Sequence, residues 1–223
     1  MKLPALLLWL TTLFLSGCAS TQGQPNLPYG NWAIAVFAPK HMDVWIESVD
    51  VIDKRGRVFE RVYGGVGSIG EPPHKNGQPA GWTTRPGGSA KPISGVDLPE
   101  FIFVRWQSLI EPQTYNVRIN IAQWVRERMV NKEQPLCPWK SDWGKDLPSF
   151  GYRDHITIGL APGGIAKAWL QGPCLAPVEI GRFEGKIIKE GPDMGKNNGH
   201  YAYPITPESK AYIEQFGIPY GSW

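Results

Sequence analysis

The sequence predicts a mainly β fold of the α+β class: an antiparallel sheet or sandwich of about seven to eight strands with two short helices, one at the C-terminus. Composition is the first reason, because 223 residues include 26 Gly, 21 Pro and 10 Trp, which favours many turns and large aromatic anchors. The second is that short segments of alternating hydrophobicity recur along the chain. The third is that apolar residues at helical spacing occur in two short segments.

The first strands are predicted from alternation and turn residues. Residues 31–37 alternate apolar and polar positions, as a half-buried strand does. Residues 43–53 are rich in β-formers, but their apolar phase shifts near Glu47 and Ser48, which predicts a bulge. Residues 57–63 continue after a turn at 54–56, so the two segments form a hairpin.

The later strands follow the same logic. Residues 101–106 are apolar on both faces, which favours a central strand, and 113–121 alternate cleanly. Residues 155–160 and 164–170 predict a second hairpin around a Pro-Gly turn. Residues 178–189 predict a last strand, kinked at a glycine.

Two helices are predicted. In 122–130, Trp124, Val125 and Met129 have helical spacing with charged residues between them. Near the C-terminus, a threonine followed by a proline at 206–207 provides an N-cap and a favourable first helical residue, and an apolar stripe follows.

The N-terminus predicts a bacterial lipoprotein signal. Residues 3–15 form an apolar run of thirteen after Lys2, shorter than the roughly 20 residues of a spanning helix. The run closes with Leu15-Ser16-Gly17-Cys18, which resembles a lipobox. We therefore expect cleavage before Cys18, a diacylglycerol and an N-acyl chain on that cysteine, and no other cofactor.

This motif also sets the predicted organisation and address. Residues 1–17 are the expected signal peptide, 18–28 a flexible polar tether, and 29–223 a single periplasmic domain. Lipoproteins retained on the inner membrane often carry an aspartate after the cysteine, whereas Ala19 stands here. We therefore expect a lipid anchor in the outer membrane, on its periplasmic face.

Two cysteines remain, Cys137 and Cys174. In an oxidising periplasm a disulfide between them is the simplest interpretation, and closing such a loop stabilises by roughly 2–4 kcal/mol. Two buried thiols are the alternative. Neither cysteine has metal-ligand spacing, so we predict no metal site.

Three long loops are the predicted partner-binding region. Residues 70–97, 131–150 and 191–205 exceed the length at which loops without secondary structure are common. A tryptophan on such a loop either folds back onto the core or contacts a partner, and Trp and Arg dominate interface hot spots. The predicted contact residues are Trp82, Arg85, Trp139 and Trp143.

Catalytic signatures are weak. Residues 65–70 match GxGxxG, but Pro72 and Pro73 follow, so the helix that a dinucleotide site needs cannot form there. The histidines are scattered, and Asp154-His155 is most simply a structural hydrogen bond. The net charge of +3 is too balanced to imply nucleic acid.

Three segments together resemble a lipoprotein family of proteobacteria, domain of unknown function 2931. They are residues 45–53 (WIESVDVID), 98–106 (LPEFIFVRW) and 158–172 (IGLAPGGIAKAWLQG). The resemblance covers most of 29–190 and is lower beyond. It implies that Trp106 and Trp169 are core aromatics and that Gly163-Gly164 is a hairpin turn, and it supplies no catalytic residues.

The function expected from these observations is a non-enzymatic protein-binding module. Some lipoproteins similar to this family look like immunity proteins that neutralise toxins acting in the periplasm, so a secreted antibacterial toxin is the sharpest form of the expected partner. A cell-envelope glycan-binding protein and a purely structural lipoprotein are the alternatives, and a hydrolase centred on His155 is a third.

Overall fold

A computed structural model describes residues 24–70, 81–135 and 150–223. Two β-sheets enclose one hydrophobic cluster, and two short helices lie at their ends, so the mainly β prediction is confirmed. Within the described residues, eight strands have seven or more residues and three have two or three. In chain order they are β1 (Trp32–Pro39), β2 (Val44–Asp53), β3 (Val58–Val66), β4 (Ser68–Gly70), β5 (Lys91–Ile93), β6 (Pro99–Ser108), β7 (Gln113–Asn120), β8 (His155–Ala161), β9 (Ile165–Gly172), β10 (Leu175–Glu184) and β11 (Lys186–Ile187).

The first sheet has the order β10-β9-β8-β1-β4, and β5 also pairs with β1. Its β8–β9 hairpin is the predicted one, turning at Gly163 and Gly164, both with positive φ. Most pairings in this sheet are antiparallel, but β1 pairs in parallel with both β8 and β4. β4 is the last strand on its side of the sheet.

The second sheet is antiparallel, in the order β11-β7-β6-β2-β3. β6 is its central strand, as its apolar faces predict. The register of β2 against β6 shifts between Ile46 and Ser48, so the bulge predicted near Glu47 and Ser48 is confirmed. Glu47 and Ser48 are both buried.

The core combines alternate residues from both sheets. Trp106 is completely buried and Trp169 is 7% exposed, which agrees with their expected place as core aromatics. β1 is buried on both faces rather than on one, because Phe37 on its outer side packs against Trp82 and Trp169. The other face of β1 belongs to the main cluster.

Helix α1 spans Gln123–Val130 and follows β7. Val125 and Met129 are buried as predicted, but Trp124 is 42% exposed. Adjacent helical positions point about 100° apart, so Trp124 and Val125 cannot both face the core squarely. The prediction that Trp124 belongs to the buried stripe is wrong.

The predicted kink in the last strand is a change of sheet. β10 pairs with β9 in the first sheet, whereas β11 pairs with β7 in the second. Gly185 lies between them, and a Cβ there would come within 2.9 Å of backbone oxygens of Asn116 and Gly164. Only glycine lets the chain pass so close to both sheets.

The remaining chain, residues 188–223, forms what we call the C-terminal strap. It starts at β7, where Ile188 N–H donates to Thr114, and crosses the outer face of the second sheet. Helix α2 (Pro207–Phe216) follows, capped by Thr206 as predicted. The strap ends on the outer face of the first sheet, where Trp223 contacts Trp82.

The sandwich has two ends, which we call the base and the apex. The base is the end at which β1 begins, and it includes the turn after Asp53 and helix α1. The apex is the end at which β1 finishes at Pro39, and the strap passes over it. Residues 24–31 enter at the base, where Leu27, inside the predicted tether, already packs against the core.

Candidate functional site

Most residues predicted to carry function lie outside the described part of the chain. Cys18, Cys137, Trp139 and Trp143 are all in this group. Cys174 is described: it occupies the turn between β9 and β10 and is disulfide-bonded. The pairing of Cys174 with Cys137 remains a prediction.

Trp82 takes the first of the two alternatives for a loop tryptophan, because it folds back. Its ring makes edge contacts with Phe37, Trp169 and Trp223 at centroid distances of 5.9, 5.4 and 5.8 Å. It lies directly over Gly159, where an added Cβ would come within 2.3 Å of the indole. Trp82 therefore covers the first sheet, and its assignment as a partner contact stays a prediction. Arg85, on the same loop, is exposed.

The described histidines do not assemble with a nucleophile. Asp154 Oδ1 lies 2.5 Å from His155 Nδ1 at the start of β8, as expected for a structural hydrogen bond. His41 stacks on Tyr212 of α2 with a centroid distance of 4.5 Å and an interplanar angle of 14°. In the described parts of the chain, no three His, Cys, Asp or Glu residues are grouped as metal ligands.

The glycines of the GxGxxG match serve chain packing instead. A Cβ on Gly67 would come within 2.6 Å of Val44, and one on Gly70 within 2.6 Å of Phe37. The chain needs this close approach because it passes there from the edge of the second sheet to the edge of the first. The motif is thus a crossover between β3 and β4.

An apolar groove of about 660 Å³ opens at the apex beside this crossover. One wall is the crossover itself and the other is the strap segment 203–209. Val66, Ile69 and Tyr203 are 67%, 52% and 53% exposed there. Its apolar lining is Val44, Val66, Ile69, Leu109, Tyr203, Pro204 and Ile205.

Polar contacts hold the strap wall of this groove in place. Thr206 Oγ1 donates to Asp43 Oδ2 at 2.8 Å and accepts from Ser209 N–H at 3.3 Å. Lys40 and Glu208 lie at the groove rim. The wall is therefore a fixed part of the fold, with charged groups only at its border.

A carboxylate on the apex side also collects hydrogen bonds. Glu111 Oε1 accepts from the hydroxyls of Tyr115 and Tyr220 at 3.2 and 2.9 Å and from Gly163 N–H at 2.9 Å. Burial, followed by the Glu111 hydrogen bond and charge, raises the pKa of Tyr220 to about 12. The pKa of Tyr115 is raised for the same reasons.

The base holds a different kind of charge cluster. Arg153, 4% exposed, pairs with Glu133 at 2.7 Å and donates to the backbone oxygen of Ala176 at 2.6 Å. Arg128 pairs with Glu133 at 2.8 Å. Hydrogen bonds from Arg128 and then Arg153 lower the pKa of Glu133 to about 2. Every charge in this cluster has a partner, so it is a structural clamp.

A known protein family matches nearly the whole chain. The family model described as "Protein of unknown function (DUF2931)" matches residues 19–221. The chain belongs to this family. No match was found among the curated proteins or among the solved structures.

The three segments that resemble the DUF2931 family are structural elements. Residues 45–53 are most of β2, 98–106 most of β6, and 158–172 run through the β8–β9 hairpin. The family match reaches residue 221, so the strap lies within the DUF2931 region, beyond the part in which the resemblance was clearest.

Sequence reasoning missed the groove of this DUF2931 protein. The sequence predicts a long loop at 191–205, but the composition of this loop does not indicate which strands it crosses. Tyr203, an aromatic residue in a polar loop, is the one signal in this segment that could have indicated the groove.

No helix within the described residues has the length and apolarity to span a bilayer.

Proposed function

We propose that this protein is a lipid-anchored lipoprotein of the outer membrane that binds a partner protein through the apolar groove at its apex, without catalysing a reaction. The lipobox-like residues Leu15 to Cys18 support the anchor. The observation that carries the binding proposal is the groove, in which three large apolar side chains remain more than half exposed. Contiguous apolar surface of this kind marks interaction sites.

The position of the groove suits a tethered binder. Residues 24–31 enter at the base, and β1 then runs eight residues towards the apex, about 26 Å at the usual rise of a strand. A chain anchored through Cys18 would therefore hold its base near the membrane and present the groove away from it. A partner arriving from the periplasm would meet the groove first.

We assign the occupant as an extended apolar segment of a partner protein. β3 and β4 are the last strands on this side of their sheets, so the groove is bordered by strand edges. Such edges recruit extended chains through main-chain hydrogen bonds, and pockets beside them take alternate side chains. A partner that inserts such a segment would be occluded, which is how an immunity-like protein would neutralise a periplasm-acting toxin.

The test uses two valines on one strand. Val66 lines the groove and Val58 lies at the base end of β3, and they are 67% and 61% exposed. A photoreactive amino acid at Ile69 in intact cells should crosslink one defined protein, identified by mass spectrometry. With that protein purified, Val66→Asp should weaken its binding at least tenfold, about 1.4 kcal/mol, whereas Val58→Asp should leave it unchanged.

Because both substitutions are at exposed strand positions, folding should survive in both, within about 0.5 kcal/mol. Equal binding by the Val66→Asp and Val58→Asp variants would remove the groove from the proposal. A crosslinked protein that shows no affinity for the purified lipoprotein would also remove the groove from the proposal.

A further inference from the structure

A second cavity, polar rather than apolar, lies on the outer face of the second sheet. It has a volume of about 410 Å³, within the range of small-molecule sites. The bulge of β2 forms its floor, β3 one side, and the strap segment 193–202 the other. The side chains and glycines that define it are Trp45, Glu47, Arg61, Gly64, Asp193 and Asn197.

Glu47 is the central polar group of this cavity, and it is 6% exposed. Its Oε1 accepts from Gln107 Nε2 at 3.0 Å and from the Asp193 N–H at 2.7 Å. Within the described residues, no hydrogen bond reaches its Oε2 and no cation pairs with it. Oε2 is not among the fully buried polar atoms that lack a partner, so it is accessible and is an acceptor that a ligand in the cavity can use.

The strap adopts an uncommon backbone where it meets Glu47. Asp193, Met194 and Gly195 are consecutive and all left-handed, with φ of 50°, 56° and 77°. Side chains other than glycine rarely adopt this conformation, and backbone strain of this kind concentrates at binding sites. The turn aims the Asp193 carboxylate and the Asn197 amide at the cavity, and Asn197 Nδ2 donates to Asp193 Oδ2.

An aromatic wall completes the cavity. Trp45 is half-buried and makes an edge contact with Tyr203 at 5.4 Å and 65°, which fixes the orientation of the indole. Gly64, on the neighbouring strand, leaves space open beside Glu47. A Cβ at Gly64 would be in ordinary contact, 3.5 Å from the nearest atom, so the backbone does not require glycine there.

We propose that this cavity binds a neutral carbohydrate. The two carboxylates outnumber Arg61 and disfavour an anionic ligand, while Arg61 offsets one of the two negative charges that would attract a cation. A neutral sugar fits the mixed lining because each hydroxyl both donates and accepts. Its hydroxyls donate to Glu47 Oε2 and the Asp193 carboxylate and accept from the Arg61 guanidinium, while its C–H face packs on Trp45.

This site differs from the glycan site expected from the sequence. The glycan-binding alternative from the sequence stacks a sugar on the loop tryptophans Trp82, Trp139 and Trp143, and of these Trp82 packs onto the first sheet. The proposed site uses a strand tryptophan and the strap instead. It is also distinct from the apolar groove, although Tyr203 lies between the two.

The experiment uses the full-length protein in detergent and three neutral probes: chitotriose, cellotriose and maltotriose. Binding is measured by calorimetry and by the indole N–H signal of Trp45 in NMR spectra. At least one sugar should bind at low millimolar concentration. Trp45→Ala and Gly64→Val should each weaken that binding about tenfold or more, whereas Trp124→Ala, an exposed tryptophan at the base, should not change it.

Gly64→Val keeps the test sound where Trp45→Ala reduces folding, because the backbone accommodates a Cβ at Gly64 at ordinary contact distance and the added side chain reduces the space beside Glu47. The proposal is overturned where none of the three sugars binds, or where binding survives Gly64→Val in the folded protein. Ile69→Asp, in the apolar groove but on the first sheet, should keep full sugar affinity, so failure of the partner-binding proposal and failure of this one give different results.

Discussion

The base and the apex of the sandwich treat buried charge in opposite ways. At the base, Glu133 is paired with two arginines, and Asp53 accepts hydrogen bonds from Arg57 and three backbone N–H groups. Near the apex, Glu47 takes both its hydrogen bonds on one oxygen, and apolar side chains stay exposed beside it. Where the protein itself pairs the charges, as at the base, they stabilise the fold. Where a hydrogen-bond acceptor and apolar side chains have no partner within the described part of the protein, as near the apex, the region can bind a ligand or another protein.

The largest effect should come from breaking the clamp at the base. Arg153→Ala removes the buried partner of Glu133 and the donor to Ala176 O, and losing one member of a buried pair costs about 3–5 kcal/mol. Urea denaturation measures the free energy of unfolding. The matched control is Arg182→Ala on β10, where the arginine is 41% exposed, pairs with an exposed Glu184 and donates to the Trp223 backbone oxygen at 3.0 Å.

Arg182→Ala should cost no more than about 2 kcal/mol, because exposed ion pairs contribute little and a single hydrogen bond contributes about 1 kcal/mol. Equal losses in the two variants would mean that the base is no more dependent on its buried charges than the exposed surface of β10, and the contrast between the two regions would not hold.

A second, smaller effect should appear on acidification. The pKa of Glu133 falls from an ordinary 4.5 to about 2 in the folded protein. A depressed folded-state pKa stabilises above the unfolded value and loses that contribution as the pH falls from about 4.5 to 2. At about 1.4 kcal/mol per pH unit, the loss is about 3 kcal/mol.

Urea denaturation between pH 7 and pH 2.5 measures this loss, and Glu133→Gln should flatten it while lowering stability at neutral pH. The pKa of Asp53 is also lowered, because its hydrogen bonds with Arg57 outweigh the opposing effect of burial. Asp53 therefore keeps part of the acid dependence of stability in the Glu133→Gln variant. An unchanged acid profile in Glu133→Gln would show that the clamp does not titrate.

The strands and their local turn features were largely predictable from the sequence, and the long-range contacts that build the groove and the cavity were not. The strands, the bulge at Glu47 and the cap at Thr206 depend on neighbours within a few residues, so local periodicity and turn chemistry reveal them. β4 and β5 have three residues each, too few for a periodic signal. The contact that builds the polar cavity joins Glu47 to Asp193, 146 positions away, and no local pattern encodes such a pairing.

Trp82 shows the same limit in a single residue. Its loop is rich in glycine and proline, which indicates an exposed segment, and the sequence left both a packed and a partner-binding tryptophan open. The space it fills is created by Gly159, 77 positions later in the chain, where the absent side chain leaves room for an indole. Complementarity between a large and a missing side chain becomes visible only after the strands are assembled.

The smallest predicted effect tests the apex from the alkaline side. The pKa of Tyr220 is raised to about 12, first by burial and then by Glu111, and the pKa of Tyr115 is raised by the same two causes. A raised folded-state pKa contributes stability below the ordinary value of 10 and loses it as the pH rises towards 12. The apex should therefore lose stability at alkaline pH, whereas the base of the sandwich should lose stability at acidic pH.

Tyr220→Phe removes one of these titrating groups, so it should reduce the alkaline loss of stability measured by urea denaturation and leave the acid limb unchanged. At neutral pH it should cost at most about 1 kcal/mol, the value of one hydrogen bond. Glu111→Gln, which removes the negative charge but keeps an acceptor, should also reduce the alkaline loss. An alkaline limb that neither variant alters would show that the tyrosine–glutamate cluster does not distinguish the apex from the base.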